Sequence, residues 1–174
     1  MSDPVYIVEY DPRWPEMYEQ ERGPLLEALY PFAVDIQHVG STSVLGVAAK
    51  PIVDIGVGIK EYPLPESSIE AVVALGYEYF GEWGIPRRHY FNKGRPRTHH
   101  LHILEVEGEE WQRHILFRDY LRAHREEALR YEALKRELAR VCQHDREAYT
   151  EGKTDFVLAT LAKAQAWREA APRS

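Results

Sequence analysis

A chain of 174 residues that is 44% hydrophobic and 29% charged has the composition of a folded globular protein, long enough to bury a real core. Its formal net charge of −6 argues against an extended surface for nucleic acid or anionic membrane, while leaving room for a local basic pocket. The lone Cys142 excludes an internal disulfide and a thiolate zinc cluster.

Residues 1–10 carry neither a basic start nor an apolar run of signal length, and no stretch approaches the roughly 20 apolar residues that span a bilayer. A cytoplasmic chain without a membrane partner is the expectation. Val5 to Glu9 reads as a short strand. Pro12, Trp14 and Pro15 mark a turn into a helix running to about Leu29, with Met17, Leu25, Leu26 and Leu29 as its buried stripe. Gly23-Pro24 is expected to kink or break that helix. Val34 to Val39 is the next strand, feeding Gly40-Ser41-Thr42-Ser43. Small hydroxyl residues there can cap a short helix, whose free N–H groups attract anions.

From Val53 the chain alternates strictly. Val53, Ile55, Val57 and Ile59 share one strand face, and Asp54, Gly56 and Gly58 share the other. Glycine inside a strand gives up packing and so marks close approach by a ligand or another backbone. An anion cradle ahead of a lone strand carboxylate suggests phosphate plus metal. The plainer alternative is a capped helix leading into a core strand.

Pro63 and Pro65 form a rigid connector, and Ser67 to Leu75 reads as a helix stopped by Gly76. Tyr77 to Phe80 is a short strand, and Gly81 to Pro86 a loop with Trp83 near its tip. Arg88 to Asn92 and Thr98 to Val106 form a hairpin across Gly94 to Arg97. Beyond Glu109, Phe117, Leu121, Ala128, Leu134, Leu138 and Val141 recur at helical spacing. They predict one or two long helices to about Tyr149, a break near Gly152, and a last helix from about Asp155 to Trp167. Cys142 reads as a small core residue of this pattern. Strands first and helices last is an α+β order, and with no repeat or linker residues 1–174 read as one domain.

The run from Gly40 to Ile55, Gly-Ser-Thr-Ser-Val-x-Gly-x-x-Ala-Lys-Pro-Ile-Val-Asp-Ile, resembles the signature of the GrpB (UPF0157-type) family, a group placed in the nucleotidyltransferase superfamily. The resemblance continues through Tyr10-Asp-Pro-x-Trp14, Gly84-Ile-Pro86, Arg88-x-Tyr90-Phe91, His100-x-His102, Phe117 to Arg122, Lys153 and Ala164-x-x-Trp167, so it covers nearly the whole chain. It implies a nucleotidyltransferase-like mixed β-sheet with flanking helices and a helical C-terminal region. It also implies a Gly-Ser turn, an Asp-x-Asp/Glu strand and a third carboxylate on a neighbouring strand, holding magnesium against phosphate oxygens. This chain keeps Gly40-Ser41 and Asp54 but has Gly56 in place of the second carboxylate.

His100 and His102 are the candidate substitutes. On an extended strand they share a face, opposite Leu101 and Ile103; His99 and Glu105 have the wrong parity. With Asp54 they could bind one divalent metal. Magnesium or manganese is what the resemblance implies, and zinc, iron or nickel is favoured if imidazoles ligate. Two solvated histidines, or one histidine acting as an acid/base group or binding a phosphate directly, are the alternatives. Gly40, Ser41, Thr42 and Ser43 are the candidate phosphate cradle, with Lys50 directed at a triphosphate or at a surface acid. Arg88 and Tyr90 share a face suited to a phosphate and a base or sugar, although Tyr90 equally suits the core. Arg118, Arg122 and Lys153 are weaker ligand candidates. The charge run from Arg122 to Arg140 reads as a solvated helix face, Trp14, Trp111 and Trp167 as packing the core or covering its edges, and His38 as a hydrogen-bonded structural histidine.

Three functions compete on this basis. One is an enzyme that binds a nucleoside triphosphate and metal and transfers a nucleotidyl or phosphoryl group to an unknown acceptor. The second is a binding module for a nucleotide or coenzyme-like ligand, in keeping with family members known as an extra domain on dephospho-coenzyme A kinase. The third is a metal-dependent hydrolase built on Asp54, His100 and His102. The partner in each case is a nucleotide or a phosphorylated small molecule.

Overall fold

The computed structural model describes residues 3–172. Helix α1 spans Trp14–Ala28, with Pro15 in its first turn, where the missing N–H has no intrahelical acceptor to lose. The helix does not break at Pro24 but runs through it. Trp14, Tyr18, Leu25 and Leu29 form the buried line, with Met17 and Leu26 beside it. The expected strand at Val5 to Glu9 reduces to a single bridge between Val8 and Ala49. Pro51, two residues past that bridge, has no N–H with which to extend a ladder.

Strands β1 (Ala33–Val39), β2 (Val53–Ile59), β3 (Tyr77–Tyr79), β4 (His89–Lys93) and β5 (His99–Glu105) make one mixed sheet in the order β1-β2-β5-β4-β3. Only the central β2–β5 pair is parallel. The connection between them carries helix α2 (Glu66–Val73), β3 and β4. α1 and α2 cover the sheet face made by Val53, Ile55, Val57, Ile59, Phe91, Leu101 and Ile103, which together form the main core. The architecture is α+β, with the mixed sheet flanked by helices.

Helices α3 (Glu109–Ala123), α4 (Arg125–Val141), α5 (Arg146–Gly152) and α6 (Thr154–Ala170) follow the sheet. The break near Gly152 is present, and a further one separates α4 from α5. Cys142 caps the end of α4 half-buried instead of joining the core. No helix among the described residues is long and apolar enough to cross a membrane.

Trp111 of α3 lies on the second sheet face and explains the strand glycines. A Cβ at Gly56 would meet its ring at 3.2 Å, and one at Gly58 would meet the ring at 3.3 Å and overlap Val106. The close approach expected at this floor is therefore an indole. It also fills the space that a second carboxylate would need.

Candidate active site

Strand register assembles the chemistry. Asp54 of β2 pairs laterally with His100 of β5, and Gly56 with His102. Asp54 Oδ1 lies 3.1 Å from His102 Nε2 and 3.4 Å from His100 Nδ1. The three residues each offer one ligand atom, and these atoms lie within 4.8 Å of one another. Burial opposes the Asp54 charge, but hydrogen bonds from both histidines outweigh it and hold the carboxyl well below the usual carboxylate range. Burial pulls His100 below its ordinary value, although Asp54 favours its charged form. Its Nε2 is buried with no hydrogen-bond partner among the described residues. A neutral imidazole with an unspent nitrogen suits a proton acceptor or a metal ligand.

His102 is held differently. Arg88 Nη1 lies 3.3 Å from its Nδ1. A guanidinium only donates, so Nδ1 accepts and Nε2 carries the hydrogen given to Asp54. Ligation of an ion through Nε2 would cost that hydrogen bond. The sequence marks Arg88 as a phosphate contact, but the structure buries it with each of its three nitrogens already engaged. Besides His102, it bonds the carbonyls of Glu82 at 3.1 Å and Trp83 at 2.8 Å, and it stacks 4.7 Å from the Tyr90 ring centre. Tyr90 is also buried, packed against both site histidines.

The floor opens into a cavity of about 360 Å³. Gly40, Ser41 and Thr42 line one side. They form a single 3₁₀ turn with Ser43 rather than the start of a longer helix. Gly40 has φ +72°, and a Cβ there would lie 2.5 Å from Asp54 Oδ2, so glycine lets the turn rest on the carboxylate. Ser43 is not among the lining residues. Its hydroxyl bonds the Gly40 carbonyl, and its own carbonyl accepts Arg122 Nε at 2.9 Å. Thr42 Oγ1 shares a hydrogen bond of 2.9 Å with His38 Nε2. Arg118 bonds Gln37 and the His38 carbonyl, so Arg122 ties α3 to the turn and Arg118 ties it to the end of β1. Glu105 is taken up by Arg87.

The opposite wall joins Lys50 and Lys153, both candidates from the sequence, to Lys135, His114 and Tyr149, which the sequence reading missed. Lys50 and Lys153 place Nζ 5.0 and 4.6 Å from the centre of the Tyr149 ring, and Lys135 sits 4.8 Å from that of Tyr131. None of the three lysines forms an ion pair with a described residue; the paired lysines are Lys93 and Lys163. Burial first, then repulsion from Lys153, lowers Lys50 and Lys135 to about 7. Lys153 is lowered by burial to about 8, against the pull of Asp54. His114 of α3, with its ring centre 5.1 Å from that of His102, is held at about 3 by burial and by that neighbour.

Lys135 belongs to the run expected as a solvated face, yet it is 2% exposed, with Nζ bonding the Ala48 carbonyl at 2.8 Å. Ala128, Tyr131 and Lys135 recur at i, i+3 and i+7, the signal that places it on the buried stripe. His114 and Tyr149 carry no comparable mark.

A sequence model described as GrpB protein matches residues 4–163. The chain is 37% identical over 166 residues to the UPF0157 protein YqkA of Bacillus subtilis, covering 95% of this chain and 48% of that protein. It thus spans about half the length of that relative. The crystal structure of conserved protein GrpB from Enterococcus faecalis superposes with a TM-score of 0.83 at 35% identity, covering 93% of this chain and 99% of that one. A more distant match, 26% identical, is to 47% of a dephospho-CoA kinase of Mycolicibacterium paratuberculosis.

Proposed function

The chain belongs to the GrpB family, and from that premise we propose that it is a nucleotidyltransferase-like enzyme acting on a nucleoside triphosphate and a small acceptor. One observation carries the reading. A carboxylate with two imidazoles faces a cavity whose far wall bears three unpaired lysines, in a chain of net charge −6. Unpaired buried ammonium groups are costly, and a polyphosphate is the partner that relieves them.

Asp54 and His100 fit a divalent ion, His102 joins them only by giving up its hydrogen bond to Asp54, and imidazole among the donors favours manganese, iron, nickel or zinc over magnesium. Such an ion would supply charge neutralisation at phosphate oxygens. The chain's own residues do the rest. Lys50, Lys135 and Lys153 bind the phosphates and neutralise the leaving group, and the Gly40 turn fixes Asp54. His100, where no ion engages it, takes the acceptor's proton. The acceptor oxygen then bonds phosphorus as the bond to the leaving phosphate breaks. Charge complementarity and positioning carry the rate.

The indole in place of a second carboxylate, together with the match to half of a dephospho-CoA kinase, favours a second reading, a nucleotide- or coenzyme-binding module without turnover. Thermal melts of wild type and Asp54→Asn with each nucleotide, with magnesium, manganese or zinc, separate the two. Ligand at 100 times its Kd adds about 2.7 kcal/mol. A metal-dependent nucleotide shift lost in Asp54→Asn supports the enzyme. A shift needing neither metal nor Asp54 supports the module. A shift with metal alone points to a hydrolase, and no shift sinks the nucleotide reading.

A further inference from the structure

Beside the main cavity lies a second hollow of about 470 Å³. The two share Lys50, His100 and Thr150, so the second hollow joins the first at the residue with the unspent nitrogen. Its other lining residues come from four segments, the Trp83 loop, β4 at Tyr90, the β4–β5 connection at Arg97, and α5 at Arg146 and Glu147.

Its charge is lopsided. Lys50, Arg97 and Arg146 line it with one acid, Glu147, and with Asp3 close to Arg146, and neither arginine is in an ion pair with a described residue. Arg146 donates Nη2 to the Asp3 carbonyl at 3.2 Å, but its Nε is buried without a partner among the described residues. Burial lowers the arginine, with Arg97 the largest charge contribution and Asp3 pulling the other way, so two like charges are held close together. A cationic ligand is repelled here, and an anion is attracted.

Its other wall is a ring platform. Trp83 is 62% exposed, yet its indole lies within 17° of parallel to the Tyr90 ring beneath it. Its backbone sits at φ +49°, a conformation that non-glycine residues rarely adopt, and Arg88 clamps the carbonyls of Trp83 and Glu82. A large aromatic ring held rigid, strained and open to water next to unpaired guanidinium groups has the makings of a stacking surface.

We propose that this hollow is the acceptor subsite, and that the acceptor is a small molecule bearing a planar ring that stacks on Trp83 and a phosphate or carboxylate that pairs with Arg97 and Arg146. Its position as acceptor rests on the transfer reading above. The binding chemistry stands apart from it.

The test uses three probes on the whole protein without nucleotide: phenyl phosphate, cyclohexyl phosphate and benzyl alcohol. Isothermal titration gives affinity, and quenching of indole fluorescence reports the ring. Phenyl phosphate should bind and quench, with cyclohexyl phosphate and benzyl alcohol each weaker by about tenfold or more. Trp83→Leu, at an exposed position, should remove the quench and the preference for phenyl over cyclohexyl while leaving the melting temperature near that of wild type. Arg97→Gln should weaken both phosphates and leave benzyl alcohol unchanged. Lys135→Met, in the other cavity, should leave the Trp83-dependent quench by phenyl phosphate as it was. Equal affinity for phenyl and cyclohexyl phosphate overturns the proposal. So does loss of binding in Lys135→Met but not in Trp83→Leu, or no binding at all. Phenyl phosphate bound at Trp83 in a protein that shows no nucleotide shift would keep this site and remove the transfer reading.

Discussion

Strands β2 and β5 present two faces with different rules. On one, Val53, Ile55, Val57, Ile59, Leu101 and Ile103 are all fully buried against α1 and α2. On the other, Asp54, His100 and His102 stand among two glycines, and each position has a particular neighbour: the Gly40 turn on Asp54, Trp111 on Gly56, Arg88 on His102. The first face is held by non-directional burial, where any apolar group of fitting volume serves. The second is held by matched pairs, where a change of one atom type alters charge or tautomer. The difference predicts that damage to the first face costs stability, and damage to the second costs chemistry.

The largest effect should come from the apolar face. Leu101→Ala removes a fully buried side chain beside both site histidines and should cost about 2–5 kcal/mol by urea unfolding. At temperatures where the variant stays folded, its Asp54-dependent ligand response should persist. Loss of that response in a folded Leu101→Ala would mean the two faces are not separable.

Gly56→Asp comes next, because it restores the carboxylate that the nucleotidyltransferase pattern asks for. The new Cβ would press on the Trp111 ring, so the variant should lose about 1–3 kcal/mol and gain no manganese affinity. A stable Gly56→Asp with tighter metal binding would show that the indole yields.

The same contrast explains what could be read from the chain. Strand parity made the Asp54, His100 and His102 face legible, because a period of two is strict and Leu101 and Ile103 fix which side is core. The α+β order and the helix break at Gly152 were legible for similar reasons. Arg88 was misread because its type and parity suit a phosphate, and nothing local says that the carbonyls of Glu82 and Trp83 consume its donors. Lys135 was misread because charge outvoted position. Its i+7 spacing from Ala128 was visible, but a lysine counts as solvated until a cavity is known to receive it. His114 depends on where α3 docks over the sheet, a relation that no local pattern records.

Lys135 also gives a pH signature. Its folded value of about 7 lies below its unfolded 10.5, so between those values the unfolded chain binds more protons and stability rises with pH. Below about pH 7 the full cost of burying the charge is present. Wild type should therefore gain stability between about pH 7 and about pH 9 relative to Lys135→Met, measured by urea midpoints. Parallel behaviour of the two proteins would mean the ammonium is solvated after all.

The smallest effect should fall on Arg87, next in sequence to Arg88 but opposite in circumstance. Its guanidinium is 60% exposed and pairs with Glu105 at the outer end of β5, where water screens both charges. Its φ of +63° is shared by any non-glycine replacement, so Arg87→Ala changes the ion pair and not the backbone strain. Thermal melts should not resolve the variant from wild type, and the stacking of Trp83 should survive, because the neighbouring Arg88 clamps that loop from inside. If Arg87→Ala instead loosened the Trp83 loop, the outer ion pair would be holding the platform. The buried clamp on His102 would then be a consequence of the loop's position and not its cause.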